Sequence, residues 1–198
     1  MGVVPAAVMH RKPFRHLPNL LTLLRIVAIP LLVWLLEDPG PSAAWTAMLV
    51  FMAASLTDFL DGWIARRYGL VTPLGKLLDP LADKLLVVSA LIMLGVMDRQ
   101  PGIPGWLLVL IVGREFAVTG LRSIAAADGI VVEAEATGKA KMLLQTVGLH
   151  FLIVHYTYFG VSFHDIGLPL LVVGTVVGLW SAVSYHVQLF ERLRRRPA

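Results

Sequence analysis

Four aspartates, Asp58, Asp61, Asp79 and Asp83, sit in apolar stretches that leave no obvious use for charge. Asp58 and Asp61 are at i, i+3 and Asp79 and Asp83 at i, i+4, so each pair lies on one face of a helix. An ionised carboxylate at membrane depth costs at least about 2.5 kcal/mol even on a lenient insertion scale. Four such groups within 26 residues therefore need compensation. Ion pairs with Arg66, Lys76 and Lys84 could explain one aspartate, but two facing pairs point to a cation site. Oxygen-only ligands favour Mg²⁺, Mn²⁺ or Ca²⁺ over softer metals. Two such ions about 3.5–4 Å apart would suit four bridging carboxylates, an arrangement common in phosphoryl transfer. The chain has no cysteine, which excludes disulfides, thiol catalysis and thiolate metal sites.

The neighbours of these acids fit the same chemistry. Gly62 follows Asp61, and Gly75 lies four residues before Asp79. Small residues in a membrane helix let a backbone or ligand approach closely. Arg66 stands at the helix mouth, where its fork can hold a phosphate bidentately or anchor the helix at the interface. At 1.5 Å per residue, Asp61 lies roughly 8 Å inside the end marked by Arg66, and Asp79 and Asp83 about 10–16 Å beyond Thr72.

The elements that must position these residues are read from composition. Of 198 residues 57% are hydrophobic and only 15% charged, and the mean hydropathy is +0.76. Soluble domains are about 45–50% apolar and about 25% charged, so a soluble globule and a disordered chain are both excluded. The expectation is an all-α integral membrane protein with six transmembrane helices. Six apolar segments run near Leu17–Leu36, Ala43–Ile64, Leu74–Met97, Pro104–Ala126, Gly138–Phe159 and Ile166–Phe190. The breaks carry turn chemistry, as in Asp38-Pro39-Gly40-Pro41, Pro101-Gly102-Ile103-Pro104 and Asp128-Gly129. Thr72-Pro73 reads as a helix cap and first turn. Continuous rather than alternating apolar runs disfavour a β-barrel.

Lysine and arginine cluster before span one, around the second and fourth connections and at the C-terminus, while the odd-numbered connections hold only Arg99. By the positive-inside rule both termini and the even-numbered connections are cytoplasmic, as is the end of the bundle that carries the acidic pairs. The net charge of +4 thus signals topology, and no basic face suggests a nucleic-acid partner. Residues 1–16 form a cytoplasmic segment that either lies on the membrane interface or stays unstructured. Residues 17–190 form the six-helix domain and 191–198 a basic cytoplasmic tail. The first apolar run holds Arg25 and Pro30 and lacks a cleavage site behind it, so it reads as a retained span rather than a signal peptide.

The full string Asp58-x2-Asp61-Gly62-x2-Ala65-Arg66-x8-Gly75-x3-Asp79-x3-Asp83 resembles, position for position, the signature of the CDP-alcohol phosphatidyltransferases. The resemblance implies a homodimer of six-helix subunits that moves a phosphatidyl group from a CDP-lipid to an alcohol and releases CMP. It further implies two Mg²⁺ or Mn²⁺ ions held by Asp58, Asp61, Asp79 and Asp83, with Asp83 also the general base. Asp58, Gly62, Ala65, Arg66, Thr72 and Gly75 would then line the cytidine nucleotide.

The signature leaves the acceptor open. Arg25 in span one (preceded by Thr22), Arg114 and Arg122 in span four, and Lys139 and Lys141 at the start of span five make a polar, cationic set suited to an acceptor bearing a phosphate dianion. Alone, Arg114 and Glu115 could be a local ion pair, and Arg122, Lys139 and Lys141 a positive-inside flank. The stretches Asn19-x2-Thr22-x2-Arg25, Gly113-Arg114-Glu115, Gly120-Leu121-Arg122 and Gly138-Lys139-x-Lys141 resemble the phosphatidylglycerophosphate synthase branch of the family. That implies sn-glycerol 3-phosphate as acceptor alongside CDP-diacylglycerol and membrane lipids. A phosphatidylinositol-phosphate synthase or a cardiolipin synthase of the same fold is the sibling alternative. A prenyltransferase is disfavoured by the close spacing of the acidic pairs. A divalent-cation transporter is disfavoured by the lack of internal repeats.

Overall fold

The computed structural model describes residues 17–38, 40–68, 73–127, 129–130 and 136–194, with side chains described outside 17–19, 58–80 and 136. Six helices carry the described residues: α1 (Leu17–Glu37), α2 (Pro41–Tyr68), α3 (Pro73–Val96), α4 (Gly105–Ala127), α5 (Ala136–Val154) and α6 (Phe163–Arg194). Each falls on one of the six apolar runs. Among the described residues, Leu20–Glu37 of α1 and the whole of α6 are long and apolar enough to cross a membrane.

Helix ends follow the turn chemistry. Asp38 Oδ1 accepts the Gly40 amide at 2.7 Å, and α2 starts with Pro41, whose missing N–H costs nothing at a helix start. After α4, Gly129 at φ 71° lets its amide reach Ala126 O and that of Ile130 reach Ala125 O, a Schellman closure. Ile130 then packs with Ala125, Tyr185 and Leu189.

One local feature departs from an all-helical reading. Thr157–Tyr158 (β1) and Val161–Ser162 (β2) pair antiparallel between α5 and α6, with Thr157 opposite Ser162 and Tyr158 opposite Val161. Phe159 and Gly160 turn the ribbon at φ 52° and 77°, the two positive values of a tight hairpin turn. Helix α5 therefore stops at Val154, five residues short of the apolar run, and α6 extends to Arg194, into the segment expected as tail.

Leu32 and Leu36 of α1, Phe51 of α2, Leu86 and Leu91 of α3, Ile111 of α4, Leu149 and Leu152 of α5 and Leu171 of α6 form one buried core. The outward faces are equally apolar. On α1, Leu20, Leu24, Val27, Leu31 and Trp34 recur at helical spacing and are all exposed, as are Trp180, Val183, Val187 and Phe190 on α6. An apolar exterior over an apolar core is the surface expected of helices that face lipid.

The closest helix pairing is α5 with α6. A Cβ on Gly167 would lie 2.8 Å from Gly148 O, and one on Gly148 would lie 3.0 Å from Gly167 O. Bare glycine at both positions is what lets the two backbones touch. Gly174 and Gly178 continue the stripe against Gln145 and Lys141 of α5, so this small-residue face packs within the subunit.

Candidate active site

Helices α2 and α3 bring the two acidic pairs to one end of the bundle. Asp58, Asp61, Gly62, Ala65 and Arg66 fall in the last turns of α2, and Gly75, Asp79 and Asp83 in the first three turns of α3. The side chains of Asp58, Asp61, Gly62, Ala65, Arg66, Gly75 and Asp79, and all of Thr72, lie outside the described residues. Asp83 is described and half-buried.

Asp83 opens onto a cleft of about 310 Å³ built by four helices. Helix α4 contributes Arg114, Glu115, Thr119 and Arg122, at spacings that keep them on one face. Lys139 and Lys141 come from the first turns of α5, and Ser181, Tyr185 and Gln188, at i, i+4 and i+7, from α6. Lys84 joins them beside Asp83. The opposite end of the bundle holds the ribbon and Arg99, which is buried, donates to Ile153 O at 3.0 Å and stacks 5.5 Å from the Tyr156 ring. Among the described residues, the lysine or arginine of that end is thus turned inward.

The cleft is held by a connected polar network. Arg114 Nη1 donates to Glu115 Oε1 at 2.7 Å, and Lys141 Nζ donates to the same oxygen. Arg114 Nε donates to the Gly178 carbonyl at 3.1 Å, tying α4 to α6. Lys84 Nζ donates to Thr119 Oγ1, which itself donates to Glu115 O at 2.7 Å, tying α3 to α4. The Arg122 guanidinium lies 5.4 Å from the centroid of the buried Tyr185 ring. Lys141 is only 8% exposed and is paired with Glu115 inside the bundle. Among the described residues, five basic and two acidic side chains face one space, an excess suited to a phosphate dianion.

Of the residues expected to hold the acceptor, Arg114, Arg122 and Lys139 converge in this cleft. Thr22 and Arg25 do not line it. Both are buried at 1% exposure, and Arg25 Nε lies 3.4 Å from Ala54 O, fastening α1 to α2. The local Arg114–Glu115 pair does form, but Lys141 shares it, so the pair belongs to the cleft. Thr119, Ser181, Tyr185 and Gln188 are cleft residues that sequence reasoning passed over, and Lys84 was weighed only as an ion-pair partner of the aspartates. The i, i+4, i+7 polar stripe in α6 was the signal available for three of them. Among the described histidines, His150 packs and caps locally: its Nδ1 lies 2.7 Å from Thr146 O with its ring against Phe51.

The profile of the CDP-alcohol phosphatidyltransferases matches residues 15–182, which span the acidic pairs and most of the cleft. The chain belongs to the CDP-alcohol phosphatidyltransferase family. It is 40% identical over 184 residues to the CDP-diacylglycerol--glycerol-3-phosphate 3-phosphatidyltransferase of Bacillus subtilis (strain 168), covering 85% of this chain and 94% of that protein. It is 41% identical over 168 residues to the protein of the same name from Rickettsia typhi, covering 85% and 89%. A more distant relative is the cardiolipin synthase (CMP-forming) of Oryza sativa subsp. japonica, 36% identical over 192 residues and covering 89% of this chain and 58% of that protein.

Proposed function

We infer that this phosphatidyltransferase moves the phosphatidyl group of CDP-diacylglycerol onto sn-glycerol 3-phosphate, giving phosphatidylglycerophosphate and CMP. The observation that carries the reading is the convergence of Arg114, Arg122, Lys139 and Lys141 in a cleft that Asp83 also lines. The names of the bacterial relatives at about 40% identity support the same acceptor.

Asp58, Asp61, Asp79 and Asp83 supply only carboxylate oxygens, from adjacent helices, and that donor set fits Mg²⁺ or Mn²⁺. Two such ions, when bound, would polarise the phosphoryl oxygens and offset the charge of departing CMP. Asp58, Gly62, Ala65, Arg66, Thr72 and Gly75 hold the cytidine end of the donor lipid. The cations of the cleft bind the acceptor's phosphate and so place its free hydroxyl near Asp83. Asp83 takes the hydroxyl proton as the oxygen bonds to the phosphatidyl phosphorus and the bond to CMP breaks. Holding both reactants in this geometry removes much of the entropic barrier to an encounter.

The chain crosses the membrane six times with both termini in the cytoplasm, as a homodimer in a bacterial inner membrane. The basic connections and the cleft then share the cytoplasmic end, where CDP-diacylglycerol enters from the bilayer and glycerol 3-phosphate from solution. CMP release by the detergent-purified protein, assayed with Mg²⁺ and a panel of alcohols, tests this reading. Release that requires glycerol 3-phosphate is expected. Equal release with inositol 1-phosphate would overturn the acceptor assignment.

A further inference from the structure

An acid at the centre of an anion-binding cleft needs a reason. Glu115 is the one carboxylate that α4 contributes, and a single oxygen of it takes both Arg114 Nη1 and Lys141 Nζ. Those cations come from different helices and lie together on Gly178, whose absent side chain leaves room for them: a Cβ there would meet Lys141 Cγ at 2.9 Å and Arg114 Nε at 3.7 Å. Two like charges so close and so buried repel strongly unless an acid lies between them. The Lys141 and Arg114 side chains are only 10% and 12% exposed, so water cannot take the place of Glu115. Arg114 is further fixed by the Gly178 carbonyl, and Glu115's own helix is fixed to α3 through Thr119 and Lys84.

We propose that Glu115 is a positioning residue, which holds Lys141 and Arg114 side by side so that both meet the acceptor's phosphomonoester. The inference rests on the reading of this cleft as the acceptor's site. A phosphomonoester is largely dianionic at neutral pH, with a second pKa of about 6, and it can take a hydrogen bond from each cation on separate oxygens. Glu115 keeps Arg114 and Lys141 in place before the phosphate arrives, so the ordering cost is met at folding rather than at binding. It touches neither reacting atom, so its removal acts on acceptor affinity and leaves the donor lipid alone.

The test is CMP release by the full-length protein in detergent micelles with Mg²⁺, titrated separately in glycerol 3-phosphate and CDP-diacylglycerol. The variants are E115Q, E115D, K141M and the E115Q/K141M double. E115Q is expected to raise KM for glycerol 3-phosphate about tenfold, with kcat within about threefold and KM for CDP-diacylglycerol unchanged. E115D is expected to recover most of that loss, a rescue that a general packing defect would not show. In the K141M background E115Q is expected to add less than about threefold, because the two residues act as one unit. An unchanged or lowered KM in E115Q, or losses that simply multiply in the double variant, would sink the proposal. If K141M leaves the KM for glycerol 3-phosphate unchanged, the acceptor-site reading fails with it. If K141M raises KM while E115Q is silent, the positioning role alone fails.

Discussion

Replacing Gly178 by alanine asks whether the cleft's cations depend on a bare stretch of α6. The added Cβ would lie 2.9 Å from Lys141 Cγ, whereas ordinary contact begins near 3.4 Å, so the lysine stem must shift by about 0.5 Å at that carbon. The shift grows along the chain toward Nζ, which is bonded to Glu115. A hydrogen bond to a charged group contributes about 1.5–3 kcal/mol, so weakening the Lys141 contact to the acceptor's phosphate by about 1–2 kcal/mol is expected. That corresponds to a rise of about 5–30-fold in KM for glycerol 3-phosphate. Stability should change less. Alanine favours a helix interior over glycine by about 0.8–1 kcal/mol, against about 1–3 kcal/mol for overpacking. The assay is CMP release titrated in each substrate, with thermal unfolding measured on the same preparation. Gly174→Ala is the control, since its Cβ would press on Gln145 at 2.9 Å and on that residue's backbone nitrogen at 3.1 Å without touching either cation. It should lower the unfolding midpoint and leave the acceptor KM near wild type. An unchanged acceptor KM in Gly178→Ala, or an equal rise in KM for CDP-diacylglycerol, would refute the reasoning.

Other expectations follow from the same geometry. Asp83→Asn should abolish turnover while the unfolding midpoint stays close to wild type, and wild-type activity in that variant would remove the base assignment. Gly167→Ala should destabilise the α5–α6 pair by about 1–3 kcal/mol, read as a fall in the unfolding midpoint, because its Cβ would meet Gly148 O at 2.8 Å. Chelation of divalent metal should stop CMP release and added Mg²⁺ or Mn²⁺ should restore it, whereas full activity in excess chelator would contradict the carboxylate site. Tyr185→Leu should weaken acceptor binding only a few-fold, since the ring contributes about 0.5–1 kcal/mol through the exposed Arg122.

Much of the helical frame was legible in the sequence because a membrane helix is specified by a long apolar run between turn residues, and Pro41, Pro73 and Gly129 mark helix ends as their backbone chemistry requires. The ribbon after α5 was not. His155-Tyr156-Thr157-Tyr158-Phe159 holds no Asp, Glu, Lys, Arg, Gly or Pro to break the run, and that pattern alone does not register that its aromatic and β-branched residues favour a strand. In the cleft, Arg114, Arg122 and Lys139 stood out as charges in or beside apolar runs. Thr22 and Arg25 stood out as polar groups in an apolar run yet do not line the described cleft, since such a group signals that a partner exists and not which one. Arg25 reaches the Ala54 carbonyl of α2, which no spacing within α1 could indicate. Ser181, Tyr185 and Gln188 were passed over because a lone hydroxyl or amide in a span carries little cost, and only the juxtaposition of α6 with α4 gives them meaning.

The acceptor assignment is tested most directly by competition. Purified protein with Mg²⁺ and CDP-diacylglycerol would be given an equimolar mixture of glycerol 3-phosphate, inositol 1-phosphate, phosphatidylglycerol and serine, and the lipid products resolved by mass. Phosphatidylglycerophosphate should form almost alone and in step with CMP. A different dominant lipid, or CMP release with no phosphatidylglycerophosphate, would contradict it.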